Sequence, residues 1–489
     1  MKKLEFLLED VDVICVKGDS GLAAGSLEFD SRRVSVGSIF FAIRGTGHDG
    51  HSFIESAVSK GAAAVICETM PAELRKEVCY VQVADSASAL GIMASALFDH
   101  PSRRIKLTGV TGTNGKTTTA TLLFRLFTAM GSRAGLISTV GYIVGEEKIH
   151  ATHTTPDPVT INRLLSDMEK AGCEYCFMEV SSHAIVQQRI RGLHFAGGIF
   201  TNISHDHLDY HGSYNEYLKA KKQFFDRLQS GAFALVNKDD RNSGFMVQNT
   251  VARVKSFGMK SMADFRGSIV EKDQAGMLLD INGSQVWVSF IGEFNASNIL
   301  AVFACGVLLG ADAGEVLRVI STLTPVEGRF ETIRSADGIT VIVDYAHTPD
   351  ALENVVRAIK QMLAGRSRLI TVTGAGGDRD RGKRPVMAAI AAANSSKVIL
   401  TSDNPRTEDP DAIINEMLTG IKEGDRNRVL CISNRKEAIR AACSIAGKGD
   451  FVLVAGKGHE TYQEIAGVRH HFDDREVVRS AFNLNKTTG

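Results

Sequence analysis

The stretch 109–119 places the strongest constraint on what this chain can fold into. It reads GVTGTNGKTTT, follows an apolar β-type run at 105–110, and precedes a segment, 122–130, whose large apolar residues recur at helical spacing. Backbone N–H groups at the start of a helix bind phosphate, and glycines let the backbone approach it closely. Position 110 is Val where the usual pattern has glycine, so the sequence predicts a variant phosphate-binding loop.

The polar residues of this loop fit a nucleotide with its magnesium ion. Gly112 and Gly115 would let the loop wrap around a phosphate, and Lys116 would neutralise the β and γ oxygens. The hydroxyl of Thr117 would ligate Mg²⁺. A chance Gly-Lys-Thr in a turn is the alternative, and the strand before and the helix after the loop argue against it.

Two later strand-like runs end in residues that suit a metal ion. Glu179 ends a buried run, where parallel sheets place their binding sites. A second run, 198–203, leads into SHDHLDYHG, which contains His205, His207 and His211. Several histidines together are typical of zinc, but nucleotide-bound Mg²⁺ takes few protein ligands and keeps waters. Beside a phosphate loop, we expect Glu179 and one of these histidines to be magnesium ligands.

A lysine occupies the apolar side of the helix predicted over 214–228. Lys221 lies four residues after Tyr217 on an aromatic stripe, whereas Lys219 and Lys222 fall off it and are expected to be solvated. Lys221 can bury its stem and keep its charge in water. Alternatively, burial lowers the pKa of the amine, and a neutral amine adds CO₂ to give a carbamate, which is an anionic metal ligand. The spacing leaves both interpretations open.

The length of 489 residues suggests about three domains. Apolar β-type runs alternate with helical segments almost throughout, which favours an α/β fold. Breaks near 100–102 and 327–329 divide the chain into 1–100, 101–330 and 331–489.

Charge and hydropathy exclude several classes of protein. Lys+Arg and Asp+Glu both number 56, so the formal net charge is 0, and no broad basic surface for nucleic acid or membranes is expected. Acidic residues interrupt the apolar start of the chain, and no apolar run approaches the roughly 20 residues of a membrane helix. The 8 cysteines do not make a disulfide framework, and Cys173 and Cys176 are expected to pack in the core. We expect a soluble, cytoplasmic protein with neither a nucleic-acid nor a membrane partner.

A series of short motifs follows in order along the chain: GTNGKTT, TTPD (154–157), MEVSSH (178–183), DHLDYHG (206–212), AKKQFF (220–225), GEFNASN (292–298), EGRFE (327–331) and DYAHTPD (344–350). Together these motifs resemble the Mur ligases in all three predicted domains. The resemblance implies an N-terminal uridine-nucleotide-binding α/β domain, a central P-loop ATPase α/β domain with a mostly parallel sheet, and a C-terminal Rossmann-like α/β domain. We expect a monomer.

Three later motifs narrow the resemblance: GGDRDRGKRP (376–385), DNPRTEDP (403–410) and GKGHE (456–460). They resemble the motifs of family members that add meso-diaminopimelate to UDP-N-acetylmuramoyl-L-alanyl-D-glutamate in cytoplasmic peptidoglycan precursor synthesis. The resemblance implies that these two small molecules and ATP are the substrates. The γ-phosphoryl group would pass to the D-glutamate side chain, and the amine would then attack the acyl phosphate. Magnesium, Lys116 and Arg189 would stabilise the accumulating charge, and no acyl-enzyme is expected.

The resemblance also assigns roles residue by residue. The uridine nucleotide would lie near Ser31, Thr46, Gly47 and His48. ATP would contact Gly112, Thr113, Asn114, Gly115, Lys116, Thr117, Thr118, Asn295, Arg329 and Asp344. The metal ligands would be Thr117, Glu179, His207 and Lys221 as its carbamate, N6-carboxylysine. The muramoyl dipeptide would contact Thr154, Thr155, Ser181, Gln187 and Arg189. The incoming amino acid would contact Arg379, Asp403, Asn404, Pro405, Arg406, Gly456 and Glu460. The catalytic residues would be Lys116, Lys221, Arg189 and His207.

Arg406 suits the far end of diaminopimelate, which carries a second carboxylate. An arginine can bind that carboxylate through two parallel hydrogen bonds, while Asp403 and Glu460 can receive ammonium groups. Lysine lacks the carboxylate and would leave Arg406 unpaired, which discriminates strongly. A surface turn with a solvated arginine is the alternative.

Two other functions compete with this interpretation. The stretches 209–212 and 237–240 fit D-x-x-G and N-K-x-D, the motifs of GTP-binding switch proteins. They lie too close together for the intervening α/β units, and the third domain would have no role. The nearer alternative is a ligase of the same scaffold that adds lysine, acts at another muramoyl-peptide step or extends folate with glutamate.

Overall fold

The computed structural model describes residues 2–23, 25–45, 47–204, 206, 208–363 and 365–484. Within these ranges the strands form an N-terminal sheet, a long central sheet, a C-terminal sheet and a separate hairpin. The sheets follow one another along the chain in this order.

The N-terminal sheet has the order β1-β5-β4-β3-β2, with β1 antiparallel to β5 and the other pairs parallel. Its strands are β1 Val13–Lys17, β2 Leu27–Glu28, β3 Ile39–Phe41, β4 Ala64–Cys67 and β5 Cys79–Val83. Its helices are α1 Leu4–Leu7, α2 Ile54–Ser59 and α3 Ser86–Leu97, with 3₁₀ turns at Gly50–Phe53 and Pro101–Arg103. Asp85 begins α3 by accepting a hydrogen bond from the backbone N–H of Ser88, which satisfies an otherwise free donor of the first turn.

The central sheet has the order β16-β15-β14-β13-β12-β11-β6-β10-β7-β8-β9. Its strands are β6 Lys106–Thr111, β7 Ala134–Ser138, β8 Gly141–Val144, β9 Glu147–Ile149, β10 Tyr175–Glu179, β11 Gly197–Phe200, β12 Phe233–Asn237, β13 Arg253–Gly258, β14 Phe265–Lys272, β15 Met277–Ile281 and β16 Ser284–Val288. The neighbouring strands β14, β13, β12, β11, β6, β10 and β7 pair in parallel. The antiparallel strands β15 and β16 extend the sheet at one end, and β8 and β9 extend it at the other. The carboxyl ends of β6, β10 and β11 therefore meet at one edge of the sheet.

Helices cover both faces of the central sheet and enclose two apolar clusters. They are α4 Lys116–Ala129, α5 Pro158–Lys170, α6 Ser182–Val186, α7 Leu208–His211, α8 Tyr214–Asp226, α9 Ser243–Met246, α10 Glu293–Leu308 and α11 Ala313–Ile320. On one face Leu122 and Leu126 of α4 pack with Val302 of α10. On the other face Leu164 of α5 and Phe224 of α8 are buried. Because this burial holds α4 on the sheet, it also fixes the loop that precedes α4.

The C-terminal sheet has the order β17-β18-β22-β19-β20-β21 and is parallel except for the β17–β18 pair. Its strands are β17 Glu331–Arg334, β18 Thr340–Asp344, β19 Leu369–Thr373, β20 Lys397–Leu400, β21 Val429–Cys431 and β22 Phe451–Ala455, and the hairpin is β23 Tyr462–Ile465 with β24 Val468–His471. Its helices are α12 Pro349–Lys360, α13 Lys383–Asn394, α14 Pro410–Leu418, α15 Arg435–Ile445 and α16 Asp474–Ala481, with a 3₁₀ turn at Glu423–Arg428. The loops after β18, β20 and β22 share one edge.

The expected α/β class and the mostly parallel central sheet are confirmed. The boundaries 1–100, 101–330 and 331–489 stay predictions. Cys173 and Cys176 are buried and carry free thiols, as expected for core packing. Within the described ranges, no helix is both long and apolar enough to cross a membrane.

Candidate active site

The predicted phosphate loop lies between β6 and α4 and requires its glycines. Gly112 has φ 152°, and a Cβ there would overlap Thr201 Oγ1. Gly115 has φ 85°, and a Cβ there would lie 2.5 Å from Asn298 Oδ1. Side chains are strained at such φ values, so both positions need glycine although the loop departs from the usual pattern. The predicted ATP contacts of this loop all lie together: Gly112, Thr113, Asn114, Gly115, Lys116, Thr117 and Thr118.

Lys116 is half-buried and Lys221 is buried, and both contact this loop. The ammonium of Lys116 donates to Gly112 O at 2.9 Å and to Thr113 O at 2.8 Å, and burial lowers its pKa. Lys221 donates to Gly112 O at 2.8 Å and is only 1% exposed. The interpretation that Lys221 keeps its charge in water is therefore wrong. Burial first, and the charge of Lys116 second, lower the pKa of Lys221 well below its usual value.

The other two lysines of α8 differ from each other. Lys219 is exposed and pairs with Glu216 at 2.8 Å, as predicted. The prediction that Lys222 is solvated is wrong, because Lys222 is buried and its Nζ lies 2.6 Å from Asp226 Oδ1. The carboxylate of Asp226, one helical turn further along, pairs with the buried ammonium of Lys222.

Glu179, at the end of β10, is held by several hydroxyl groups. Its Oε2 accepts from Thr117 Oγ1 at 3.0 Å. Its Oε1 accepts from Ser138 Oγ at 2.6 Å and from the backbone N–H and the hydroxyl of Thr139 at 2.9 and 3.0 Å. The predicted neighbours Thr117 and Glu179 therefore meet. Sequence reasoning missed Ser138 and Thr139, although Ser138 ends β7, the strand beside β10, and Thr139 follows it.

The described residues supply only part of a metal site. Among them, no group of three or more His, Cys, Asp or Glu side chains could hold a metal ion. His205 and the predicted ligand His207 lie outside the described residues. His211 is engaged elsewhere, because its Nε2 lies 2.9 Å from Ser182 Oγ. The hydroxyl of Thr117 and the carboxylate of Glu179 are hard oxygen donors that suit Mg²⁺, whereas the ammonium of Lys221 can ligate a metal only after conversion to a carbamate.

The residues predicted for the muramoyl dipeptide gather beside Glu179: Thr154, Thr155, Ser181, Gln187 and Arg189. The hydroxyl of Thr155 donates to Glu179 O at 2.8 Å. Arg189 donates to Thr155 O at 2.7 Å and to Gln187 Oε1 at 2.6 Å. The guanidinium of Arg189 is thus connected through Thr155 and Glu179 to Thr117 of the phosphate loop. An anionic acceptor substrate requires such a positive group.

Of the residues predicted to lie around the adenosine and phosphates, Arg329 contacts the phosphate loop directly. Arg329 donates to Thr117 Oγ1 at 2.9 Å. Asp344 is buried and accepts from the N–H of Phe330 at 2.6 Å. Burial raises the pKa of Asp344 to about 6, although the Arg329 charge opposes the rise. Asn295 is buried on α10 and donates to Ile291 O at 2.8 Å.

The residues predicted for the incoming amino acid lie at the carboxyl ends of β20 and β22. Asn404 Nδ2 donates to Glu460 Oε2 at 2.8 Å, which joins the two loops. A Cβ on Gly456 would overlap the carboxylate of Asp403, so the glycine makes room for that carboxylate. Pro405 is buried next to them, and Arg379 is exposed at the preceding loop.

Arg406 adopts a backbone conformation that side chains rarely take. Its φ is 53°, and its backbone N–H donates to Glu464 O in β23 at 3.0 Å. Its guanidinium donates to Gly377 O at 2.6 Å. The hairpin therefore holds Arg406 in place and the side chain is half-buried, which argues against the alternative of a surface turn with a solvated arginine.

A chain of contacts joins the phosphate loop to the amine pocket. Arg329 contacts Thr117, and its guanidinium carbon lies 4.4 Å from the centre of the Tyr345 ring. The Tyr345 hydroxyl donates to Glu460 Oε1 at 3.4 Å. Only two side chains thus separate Thr117 from Glu460.

The residues predicted for the uridine nucleotide lie near the N-terminal sheet. Ser31 accepts through its carbonyl from Lys60 Nζ at 2.8 Å. Gly47 and His48 are exposed, and His48 O accepts from the N–H of Gly45 at 2.9 Å. Thr46 lies outside the described residues.

Sequence reasoning also missed Asp350 and Lys457. Asp350 Oδ2 accepts from Asn114 Nδ2 at 2.7 Å and from Ser204 Oγ at 2.9 Å, so it ties α12 to the phosphate loop. Lys457 is buried between Asn404 and Glu460. Both residues belong to the quoted motifs at 344–350 and 456–460, which were the available signal.

The N-K-x-D stretch has a structural role that argues against a GTP-binding switch. Asn237 Nδ2 donates to Thr201 O at 2.7 Å. The carboxylate of Asp240, the aspartate of the motif, accepts backbone N–H groups from Ile203 and Asn242, each at 2.8 Å. Both motif side chains are thus engaged by backbone groups of this protein.

Family models cover most of the chain. The Mur ligase middle domain matches residues 110–306. The model described as the Mur ligase glutamate ligase domain matches 328–458, and that described as the Mur ligase family catalytic domain matches 25–97.

Individual relatives agree with these models. The UDP-N-acetylmuramoyl-L-alanyl-D-glutamate--2,6-diaminopimelate ligase of Bacteroides fragilis is 54% identical over 482 residues, which cover 99% of each chain. The ligase of the same name from Geobacillus kaustophilus is 41% identical and covers 93% of this chain and 94% of its own. A solved structure with this name is 31% identical, covers 100% of both chains and has a TM-score of 0.69. The MurF ligase of Thermotoga maritima shares the fold at 18% identity, covering 94% of this chain and 96% of its own, with a TM-score of 0.61. This chain belongs to the Mur ligase family.

Proposed function

We propose that this protein is an ATP-dependent ligase that joins meso-diaminopimelate to the D-glutamate of UDP-N-acetylmuramoyl-L-alanyl-D-glutamate. The observation that carries the proposal is the contact chain from Thr117 through Arg329 and Tyr345 to Glu460. Two side chains, those of Arg329 and Tyr345, connect the phosphate loop to Glu460, one of the charged residues predicted to contact the incoming amino acid. The name of the relatives that are 52–54% identical over nearly their full length supports the choice of substrates.

The chemistry follows from the poor reactivity of a carboxylate, whose charge repels nucleophiles. The γ-phosphoryl group of ATP passes to a carboxylate oxygen of D-glutamate, giving ADP and an acyl phosphate. The amine nitrogen then attacks the carbonyl carbon, the bond to the phosphate oxygen breaks, and phosphate leaves with the electron pair while the amine loses a proton. Lys116 and Arg189 stabilise the anions that accumulate in both steps.

Residues of this chain would also hold a magnesium ion and the nucleotides. Thr117 and Glu179, with His207 and the carbamate of Lys221, would bind Mg²⁺, which offsets phosphate charge. Asn295, Arg329 and Asp344 would contact ATP outside the phosphate loop, while Ser31, Thr46, Gly47 and His48 would contact the uridine nucleotide. We also infer a cytoplasmic monomer without nucleic-acid or membrane partners, in keeping with its net charge of 0.

The test follows both halves of the reaction. Purified protein receives ATP, the muramoyl dipeptide and either diaminopimelate or lysine, and ADP formation and the tripeptide mass are measured. We expect one ADP for each tripeptide, with diaminopimelate strongly preferred. ATP hydrolysis without a joined product, or equal rates with both amines, would contradict the proposal.

A further inference from the structure

A buried lysine to which no role has been given lies at the centre of the amine pocket. Lys457 precedes Glu460 in the loop after β22 and is fully buried. Its ammonium donates to Asn404 Oδ1 at 3.0 Å and to Glu460 Oε2 at 2.9 Å. The centre of the Tyr462 ring lies 5.4 Å from Nζ. One positive charge therefore binds both loops that carry the predicted amine contacts.

The same charge acts on Asp403. Burial tends to raise the pKa of Asp403, but the ammonium of Lys457 and the guanidinium of Arg435 outweigh it and hold this pKa below its usual value. Arg435 is itself paired with the fully buried Asp474 at 2.7 Å. Lys457 therefore offsets negative charge on two carboxylates, those of Asp403 and Glu460. The ammonium of Lys383 acts on Asp403 more weakly.

The charge in this pocket bears on which amine fits. Lys457 Nζ lies 2.9 Å from Glu460 Oε2, and its charge also acts on the carboxylate of Asp403. The far end of diaminopimelate carries one ammonium and one carboxylate and is neutral overall, whereas the far end of lysine carries an ammonium alone. Without Lys457, the pocket would carry one positive charge fewer, which favours a cation over a group that also bears a carboxylate.

We propose that Lys457 is a positioning residue that sets the choice of amine. It holds Asn404 and Glu460 together and balances the charge of the pocket, so that an amino acid with a zwitterionic far end is accepted before one with a cationic far end. This inference rests on the proposed function.

The test compares amine selectivity in single variants. We measure kcat/KM for diaminopimelate and for lysine, at saturating ATP and dipeptide, in the wild type, Lys457→Met and Lys457→Gln. The kcat/KM for diaminopimelate divided by that for lysine should fall about tenfold or more in both variants. The KM for ATP should stay within about twofold of the wild type. Gln keeps a polar group toward Asn404 but no charge, so an equal fall in both variants separates charge from hydrogen bonding. Lys436→Met, which removes an exposed lysine of the same domain, should leave the ratio unchanged.

A double variant tests the charge balance directly. Adding Glu460→Gln to Lys457→Met removes one carboxylate together with the ammonium, so the ratio should return toward the wild-type value. Because position 460 is then neutral, the double variant carries no unpaired buried charge there. It can therefore be measured even where the single variants fold poorly. An unchanged ratio in the folded single variants, no recovery in the double variant, or loss of folding in all three by circular dichroism would overturn the inference. Wild-type protein that makes no tripeptide with diaminopimelate would instead overturn the proposed function.

Discussion

Lys116 and Lys221 direct their ammonium nitrogens at the same carbonyl oxygen, that of Gly112, at 2.9 and 2.8 Å. They come from different helices, α4 and α8, and Lys221 is buried whereas Lys116 is half-buried. Two like charges held close together, one of them buried, favour loss of a proton by one of the two groups. The pKa of Lys221 is lowered well below its usual value, and a neutral amine at that position can add CO₂.

Replacing Lys221 should remove synthesis without unfolding the protein. We expect Lys221→Ala to lower the rate of tripeptide formation about 100-fold or more, because a charged group beside the phosphate loop is lost. Circular dichroism should be unchanged. Lys219→Ala, which changes an exposed lysine of the same helix, is the matched control and should keep full activity. Full activity in Lys221→Ala would contradict the carbamate hypothesis.

A carbamate at Lys221 also makes a prediction about CO₂ and pH. Only the neutral amine adds CO₂, and the amine gains a proton as the pH falls, so the carbamate is lost toward acidic pH. Activity should therefore drop in buffer depleted of CO₂, more steeply at lower pH, and return when bicarbonate is added. Equal rates with and without bicarbonate across the pH range would count against the carbamate.

Those parts of the site that depend on local residue pattern and on sheet geometry could be predicted from the sequence. The strand, loop and helix around 106–129 follow from glycines and apolar spacing. Glu179 could be placed near Thr117 because neighbouring parallel strands end at the same edge of a sheet.

The rest depended on packing that the spacing of residues does not encode. Lys222 lies off the apolar stripe of α8, yet Asp226 and the ring of Phe245, whose centre is 5.7 Å from Nζ, cover it. The bond from Asn114 to Asp350 joins residues far apart in the chain. Such contacts require knowing how the C-terminal domain sits on the phosphate loop.

Arg406 should act on substrate binding and not on phosphoryl transfer. We expect Arg406→Ala to raise the KM for diaminopimelate at least tenfold while kcat changes little, since the guanidinium would bind the far carboxylate. Arg406→Gly removes the same group but fits the φ of 53°. Its KM should rise equally, while its unfolding free energy should exceed that of the Ala variant by about 1 kcal/mol. A wild-type KM in either variant would refute the role.

Gly112 should tolerate no side chain. A Cβ there would overlap Thr201 Oγ1 at a φ of 152°, so Gly112→Ala should lower both the thermal midpoint and the affinity for ATP. Gly244 in α9 has no atom near its Cβ position, so Gly244→Ala should be neutral or slightly stabilising. Calorimetry for the midpoint and ATP titration for affinity would separate the two effects. Normal ATP binding in Gly112→Ala would contradict the proposed role of this loop.

The buried carboxylate of Asp344 should make stability depend on pH. Its pKa rises to about 6 in the folded protein, above the value of about 3.9 expected when unfolded. Folding thus favours the protonated form, and the resulting stabilisation is complete below about pH 4 and lost as the pH rises through about 6. Asn stays neutral at every pH. Without nucleotide, Asp344→Asn should therefore gain stability over the wild type by roughly 3 kcal/mol between acidic pH and pH 8, as measured by urea unfolding. Asp337→Asn, at an exposed site of the same domain, is the control, and its unfolding free energy should vary with pH as that of the wild type does. If the difference in unfolding free energy between Asp344→Asn and the wild type did not vary with pH, the raised pKa would be contradicted.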